Sequence, residues 1–253
     1  MRNWRTEVLT RYPHPGRGFT QGLIAGTGAA PDLAVWESTG LYGQSALYRY
    51  RLGHRVPQRR AALPDDLFGE GICRFGGGAY LWQLTWRERT ALRWDARTLE
   101  LLDLVRYDRE GWGVCAVGDY VFTSDGSSEL VRRDPDTLAP LDTIVVRHGD
   151  RRVLDLNDLT WASGRIWANM LGRALVIGID PDSGQVTDVV DARPARERHV
   201  GNAEALLNGI AALPADGEFL LTGKRYRLIR HVRLVPVSSA LGRLPRRRAA
   251  SGG

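Results

Sequence analysis

The sequence predicts an all-β protein, a five-bladed β-propeller, and three observations carry that expectation. Its apolar segments are short, rich in Val, Ile, Leu, Tyr and Trp, and closed by Gly, Asp-Pro or Asp-Gly, as in Tyr120-Val121-Phe122-Thr123-Ser124 before Asp125-Gly126. That is the pattern of strands ended by turns. No long helical stripe competes with them. A polar residue followed closely by an apolar one also recurs, at Gln21-Gly22-Leu23, Glu70-Gly71-Ile72, Glu110-Gly111-Trp112, Asn157-Asp158-Leu159 and Asn208-Gly209-Ile210, at intervals of 40 to 51 residues. A four-stranded propeller blade has that length, so five starts give five blades. A sandwich with regularly spaced turns is the alternative.

Taken in order, the N-terminal segment around Glu7-Val8-Leu9-Thr10 is expected to complete the last blade beside Leu228 to Val235, closing the ring without an exposed edge. A second set of marks follows each start in phase: Trp36-Glu37-Ser38, Leu84-Thr85-Trp86, Thr123-Ser124-Asp125, Trp167-Ala168-Asn169 and Leu221-Thr222-Gly223-Lys224. A third set, Asp95-Ala96-Arg97-Thr98, Asp134-Pro135-Asp136-Thr137 and Asp180-Pro181-Asp182-Ser183-Gly184, supplies outer hairpins. One propeller domain over residues 1–236 is expected, with a Ser-, Ala- and Arg-rich disordered tail over 237–253.

Composition narrows the class. The 253 residues are 43% hydrophobic, enough for a substantial core. The formal charge of +6 comes from arginines scattered along the chain, apart from Arg246-Arg247-Arg248, which reads as a solvated surface rather than a nucleic-acid footprint. Of 35 basic residues only Lys224 is lysine, a compact ammonium in a chain that otherwise uses the planar guanidinium. Cys73 and Cys115 are too few for a disulfide framework, lack metal-ligand spacing, and are expected as buried small hydrophobes. The start of the chain lacks the apolar core of a signal peptide and no run is long enough to span a bilayer, so the chain as written reads as soluble, cytoplasmic and without a membrane partner.

In a propeller the start of each innermost strand and the end of the next lie on one face. One mouth is therefore expected to gather Gln21, Glu37, Glu70, Trp86, Glu110, Trp112, Asp125, Asn157, Asn169, Asn208 and Lys224. Polar groups mixed with aromatics suit a small polar ligand with one charged group. Trp86 and Trp112 serve either as walls of that site or as packing between blades, and Asn157 and Asn208 either face it or bond the backbone at blade entrances. Glu110 and Asp125 read as loop ties. Glu70 differs, because Gly69 and Gly71 leave its carboxylate room and Phe68 can desolvate it, pushing its pKa toward neutrality and making it a usable acid and base.

These motifs resemble the bacterial and plant type of glutaminyl-peptide cyclotransferase (glutamine cyclotransferase), a family with a five-bladed propeller. The matching stretches, in order, are Phe19-Thr20-Gln21-Gly22-Leu23, Glu37-Ser38-Thr39-Gly40-Leu41-Tyr42-Gly43, Phe68-Gly69-Glu70-Gly71-Ile72, Leu84-Thr85-Trp86, Glu110-Gly111-Trp112-Gly113, Ser124-Asp125-Gly126-Ser127, Leu207-Asn208-Gly209-Ile210-Ala211 and Thr222-Gly223-Lys224. The resemblance implies conversion of an N-terminal glutamine, on a peptide or protein, to pyroglutamate with loss of ammonia. It implies Glu70 as acid and base, a substrate pocket formed by Phe19, Gln21, Phe68, Trp86, Trp112, Asn157 and Lys224, no metal and no other cofactor. Asn208 joins the substrate-binding set, and the expected form is a monomer that does not bind nucleic acid. Members are usually exported.

The chemistry agrees with those roles. The α-amine must lose a proton, the amide oxygen must tolerate negative charge, and the departing nitrogen must gain a proton. One carboxylate between the two nitrogens can serve both transfers. Lys224 or Asn157 can stabilise the oxyanion, or Lys224 can orient Glu70.

The chain departs from the family pattern in places: Leu156-Asn157-Asp158-Leu159-Thr160-Trp161 stands for Leu-Asn-Glu-Leu-Glu-Trp, Leu171 and Tyr226 stand where tryptophans are expected, and His14-Pro15-Gly16-Arg17-Gly18 expands a His-Asp. Two other functions fit part of the pattern: a calcium-dependent lactonase or esterase holding its ion with Glu70, Asn157 and Asn208, and a non-catalytic propeller that binds peptide N-termini.

Overall fold

The computed structural model describes residues 1–15, 18–28, 30–197 and 205–238. From residue 239 on, the expected tail lies outside the described residues. The described chain is all-β. Strands β2 (Thr20–Ala25), β3 (Ala34–Thr39), β4 (Ala46–Arg51) and β5 (Arg59–Ala62) form one antiparallel sheet in chain order. A second contains β6 (Gly69–Phe75), β7 (Tyr80–Thr85), β8 (Thr90–Asp95) and β9 (Leu101–Arg106), and a third β10 (Val114–Val117), β11 (Tyr120–Ser124), β12 (Glu129–Arg133) and β13 (Pro140–Val145). After a short hairpin, β14 (Arg147–His148) and β15 (Arg151–Arg152), come β16 (Leu156–Ala162), β17 (Arg165–Met170), β18 (Leu175–Ile179), β19 (Val186–Asp191), β20 (Leu207–Ala212), β21 (Glu218–Gly223) and β22 (Leu228–Pro236).

These last seven strands share one eight-stranded sheet with β1 (Arg2–Pro13), in the order β16-β17-β18-β19-β1-β22-β21-β20. The N-terminal strand does run antiparallel to β22, with Val8 opposite Val232 and Thr10 opposite His231. It has a second partner that the sequence did not announce: Arg2 to Arg5 pair in parallel with Asp188 to Asp191 of β19. Both edges of β1 are thereby used, and the two meanders on either side of it become one sheet. The first strands of the groups, β2, β6, β10, β16 and β20, neighbour one another in a closed cycle.

Local chemistry explains the outer connections. Asp95 Oδ1 accepts from the Arg97 and Thr98 N–H groups and the Thr98 hydroxyl, Asp134 Oδ1 from Asp136, Thr137 and the Thr137 hydroxyl, and Asp180 Oδ1 from the Ser183 N–H and hydroxyl. The same side-chain turn thus joins β8 to β9, β12 to β13 and β18 to β19. Cys73 and Cys115 are buried, as expected, and burial pushes the Cys73 thiol up to about 12. No helix of the described residues is long and apolar enough to cross a membrane.

The inner strands approach closely enough to dictate glycine. A Cβ on Gly71 would lie 2.6 Å from the Trp112 carbonyl oxygen and 2.7 Å from Gly113 Cα, and one on Gly22 would lie 2.6 Å from the Ile72 nitrogen. In each case the obstacle is backbone, which cannot step aside as a side chain can. Gly71→Ala is expected to destabilise the fold by about 2 kcal/mol or more, measured by chemical denaturation; a cost within a few tenths would show that the strands can part.

Candidate active site

Four of the five inner strands open with a β-bulge. Thr20 faces Thr39 but Gly22 faces Ser38; Gly69 faces Thr85 but Ile72 faces Gln83; Leu156 faces Met170 but Leu159 faces Ala168; Leu207 faces Gly223 but Ile210 faces Leu221. One extra residue on the inner strand re-aims a side chain and strengthens the local twist. The residues in the bulges are Gln21, Glu70-Gly71, Asn157-Asp158 and Asn208-Gly209. Four of the five recurring polar residues of the sequence thus mark a bulge, while Glu110, the fifth, precedes β10. The fifth entrance is Trp112-Gly113, bonded to Ser124 through the Trp112 N–H and the Gly113 carbonyl, each at 2.9 Å.

Three of these residues form a directed chain. Asn208 Nδ2 donates to the Thr20 carbonyl (3.2 Å) and to Gln21 Oε1 (2.8 Å), and Gln21 Nε2 donates to Glu70 Oε1 (2.9 Å). The Thr20 carbonyl only accepts, so it fixes the Asn208 amide, which fixes that of Gln21. A donor therefore faces one oxygen of Glu70. Glu70 is 4% exposed. Burial pushes its carboxyl well above the usual range; the Lys224 ammonium opposes this, and the charges of Glu88, Asp158 and Glu110 add to it.

Lys224 follows β21. Its N–H bonds the Leu206 carbonyl at 2.9 Å, and the next N–H, of Arg225, bonds the Gly18 carbonyl at 2.8 Å, which seats it between the entrances of β20 and β2. Its Nζ lies 4.6 Å from the centre of the Phe19 ring. Phe68, two residues before Glu70, meets Phe19, Tyr42 and Trp86 edge-on, with centroids 6.3, 5.4 and 5.4 Å away. Trp86 donates to Glu110 Oε2 at 2.9 Å and carries the Arg87 guanidinium 3.9 Å from its ring centre. Trp112 Nε1, Asn157 Oδ1 and Asn208 Oδ1 are buried with no hydrogen-bond partner among the described residues.

Other expected mouth residues have different surroundings. Glu37 is 1% exposed and belongs to a buried network: Oε1 accepts from Thr20 (2.8 Å) and meets His14 Nε2 (2.8 Å), and Oε2 accepts from Tyr50 (3.1 Å). His14 Nδ1 lies 2.7 Å from the Tyr226 carbonyl. Both ring nitrogens of His14 thus face acceptors, as in an imidazolium. Asp125 ties its loop, meeting Arg109 at 3.2 Å and the Ser127 N–H at 3.0 Å, as read from the sequence. Asn169 Oδ1 accepts from the Gly209 N–H at 3.1 Å. The glycines beside Glu70 serve packing rather than clearance, since a Cβ on Gly69 would lie 2.7 Å from the Thr39 carbonyl oxygen.

The divergent positions are also accommodated. Asp158 Oδ2 accepts from the Ile210 N–H (2.8 Å) and Thr160 Oγ1 from the Ala212 N–H (3.2 Å), so both stitch β16 to β20. Tyr226 is fully buried against Gly223.

Two residues escaped the sequence reading. Tyr42 donates to Glu88 Oε1 at 2.7 Å, and Glu88 Oε2 accepts from the Phe68 N–H at 3.3 Å. This hydrogen bond pushes the Tyr42 hydroxyl up to about 12. The pair bridges two sheets across the outer side of Phe68. Tyr42 lies inside a matched motif, whereas nothing in the sequence marks Glu88.

Comparison with known proteins agrees with this arrangement. The glutamine cyclotransferase family model matches residues 1–234. The chain is 30% identical over 240 residues to a glutaminyl-peptide cyclotransferase of Arabidopsis thaliana, covering 93% of this chain and 73% of that protein. It is similar to the crystal structure of Myxococcus xanthus glutaminyl cyclase, with a TM-score of 0.84, 33% identity, and coverage of 93% of this chain and 99% of that one.

Proposed function

The chain belongs to the glutamine cyclotransferase family, and from that premise we propose how it converts an N-terminal glutamine to pyroglutamate and ammonia. The four-stranded groups and the closed cycle of inner strands support a five-bladed propeller formed by residues 1–236, with the bulged entrances around one mouth. The observation that carries the mechanism is the chain Asn208–Gln21–Glu70, which delivers a donor to one oxygen of a buried carboxylate beside Lys224.

Glu70 takes a proton from the substrate α-amine as that nitrogen attacks the side-chain amide carbon. The new C–N bond closes the five-membered ring and the amide oxygen becomes an oxyanion. Glu70 then gives the proton to the amide nitrogen, the old C–N bond breaks, and ammonia leaves. A carboxyl raised toward neutrality suits both directions of transfer. Lys224, whose field favours the Glu70 carboxylate, supplies positive charge on the side where the oxyanion forms. Trp112 Nε1 and Asn157 Oδ1, a buried donor and a buried acceptor with no partner among the described residues, suit the carbonyl and the NH2 of the glutamine amide. Phe19, Phe68 and Trp86 wall the site and hold the substrate folded, so that attack is intramolecular and near. Asn208 acts by orienting Gln21.

The same Lys224 argues against calcium, because an ammonium beside the shared carboxylate repels a divalent cation. Mass spectrometry of peptides beginning with Gln, Glu or Ala tests the assignment: only the Gln peptide is expected to lose one ammonia, and Trp112→Phe should lower kcat/KM about tenfold while keeping the aromatic wall. Binding of the Gln peptide without loss of mass would instead favour a non-catalytic peptide-binding module.

A further inference from the structure

Away from the mouth, five guanidinium groups converge on the seam between the β2–β5 and β6–β9 sheets. Arg49 of β4 sits directly opposite Arg59 of β5, and Arg51 lies two residues along the same face. The row continues inward to Trp36, opposite Arg49 on β3. Arg74 of β6 reaches across the seam, its guanidinium 4.5 Å from the centre of the Trp36 ring, while that of Arg49 is 5.7 Å away. Arg97 comes from the β8–β9 turn. The cluster lies toward the far ends of the strands, since Arg51 pairs with Ala34 while Ala46 pairs with Thr39 at the mouth.

Such an arrangement opposes folding. Like charges directly opposite each other on neighbouring strands are destabilising. Among the described residues none of the five arginines forms an ion pair; Arg51 and Arg74 donate to the carbonyls of Asp32 and Gly78. The nearby Asp95 uses Oδ1 to hold its own turn, and its carboxylate charge attracts Arg97. Arg49 Nε is buried with no partner among the described residues. Burial, then repulsion from Arg59, Arg51 and Arg97, holds Arg49 below its ordinary pKa; burial, then repulsion from Arg49, does the same to Arg74. Arg51, Arg59 and Arg97 are exposed and Arg49 and Arg74 half-buried, so the groups are within reach of a ligand.

We propose that this seam is an anion site, separate from the mouth, for a small ligand carrying two or more phosphate or sulfate groups. Planar guanidinium forks match tetrahedral oxyanions bidentately. Five of them spread over two sheets ask for more charge than a single carboxylate brings. The inference does not rest on the cyclase mechanism, because its readout is binding.

The test titrates sodium tripolyphosphate into wild type, Arg59→Gln and the remote exposed control Arg5→Gln, at ionic strength held constant with sodium chloride, by calorimetry and thermal melting. Tripolyphosphate is expected to raise the melting temperature of wild type and of Arg5→Gln. Arg59→Gln should bind it at least about tenfold more weakly. Without ligand, Arg59→Gln should melt no lower than wild type, because a like-charge pair is relieved, and should keep its cyclisation rate. Three results would overturn the site: no shift beyond that of sodium chloride, equal binding by Arg59→Gln, or equal loss in Arg5→Gln. Retention on a sulfated polysaccharide resin with no response to tripolyphosphate would also overturn it, in favour of a polymer surface.

Discussion

Glu70→Gln is expected to lower turnover of a Gln-initiated peptide by about 100-fold to 10,000-fold, the usual contribution of a positioned acid and base, while the protein gains stability relative to wild type as pH rises. The second effect follows from the burial that makes the residue useful. The Glu70 carboxyl is held well above its ordinary value by burial, against the pull of Lys224. A carboxyl raised in the folded state contributes stability that is fully present below its unfolded pKa, about 4.3, and is lost as pH rises through the folded value. Glutamine keeps the neutral form at every pH, so the wild-type protein should fall behind the variant from about pH 4.3 upward. The attraction of Lys224 for the carboxylate is already part of the folded value and exists only once Glu70 ionises, so it limits the size of this gain and leaves its direction with pH intact. Paired denaturation curves at several pH values check the point. A variant that lost activity and stability together, equally at every pH, would indicate a structural carboxylate.

The second large effect lies in the buried His14–Glu37 pair. Removing one partner of a buried pair leaves the other charged and unmatched, at a cost of about 3 to 5 kcal/mol. Glu37→Gln should therefore be among the most destabilising substitutions in the inner strands, with the Thr20 and Tyr50 hydroxyls also losing a charged acceptor. Burial opposes the charge on His14, but Glu37, by its field and its hydrogen bond, outweighs it together with the Tyr226 carbonyl, so the His14 pKa is raised. This stability is fully present below the unfolded histidine pKa, about 6.5, and fades as pH rises through the folded value. Its window begins higher than that of Glu70, which separates the two contributions in a pH series. Glu37→Gln should abolish the later decline and leave the earlier one. Urea denaturation between pH 5 and pH 9 makes the comparison, and a variant as stable as wild type would show that the network is dispensable.

What the sequence disclosed follows from how local each signal is. The Asp95, Asp134 and Asp180 turns were legible because one side chain bonds groups within three residues of itself. The bulged entrances left a polar mark, often beside a glycine, and their period revealed the repeat, although the bulge itself depends on a partner strand and was not foreseen. Glu70 and Lys224 stood out by type, the one between glycines and the other as the sole lysine. The reason assigned to the glycines was mistaken, because the backbone crowding Gly71 comes from Trp112 and Gly113, some 40 residues on. The Tyr42–Glu88 bridge joins two sheets and left no trace, as did the parallel pairing of β1 with β19. Glu37 looked like a ligand group by phase, yet its carboxylate is satisfied by His14, Thr20 and Tyr50.

The most direct test of Glu70 as the proton carrier is kcat for ammonia release from a Gln-initiated dipeptide at saturating concentration, measured from pH 4 to pH 9 for wild type and Glu70→Gln. Wild type is expected to rise with pH through an inflection well above the ordinary carboxylate range, while the folded variant retains at most about a hundredth of the plateau rate and loses that inflection. A variant that kept kcat within a few-fold of wild type, with the same pH profile, would show that the proton travels by another route.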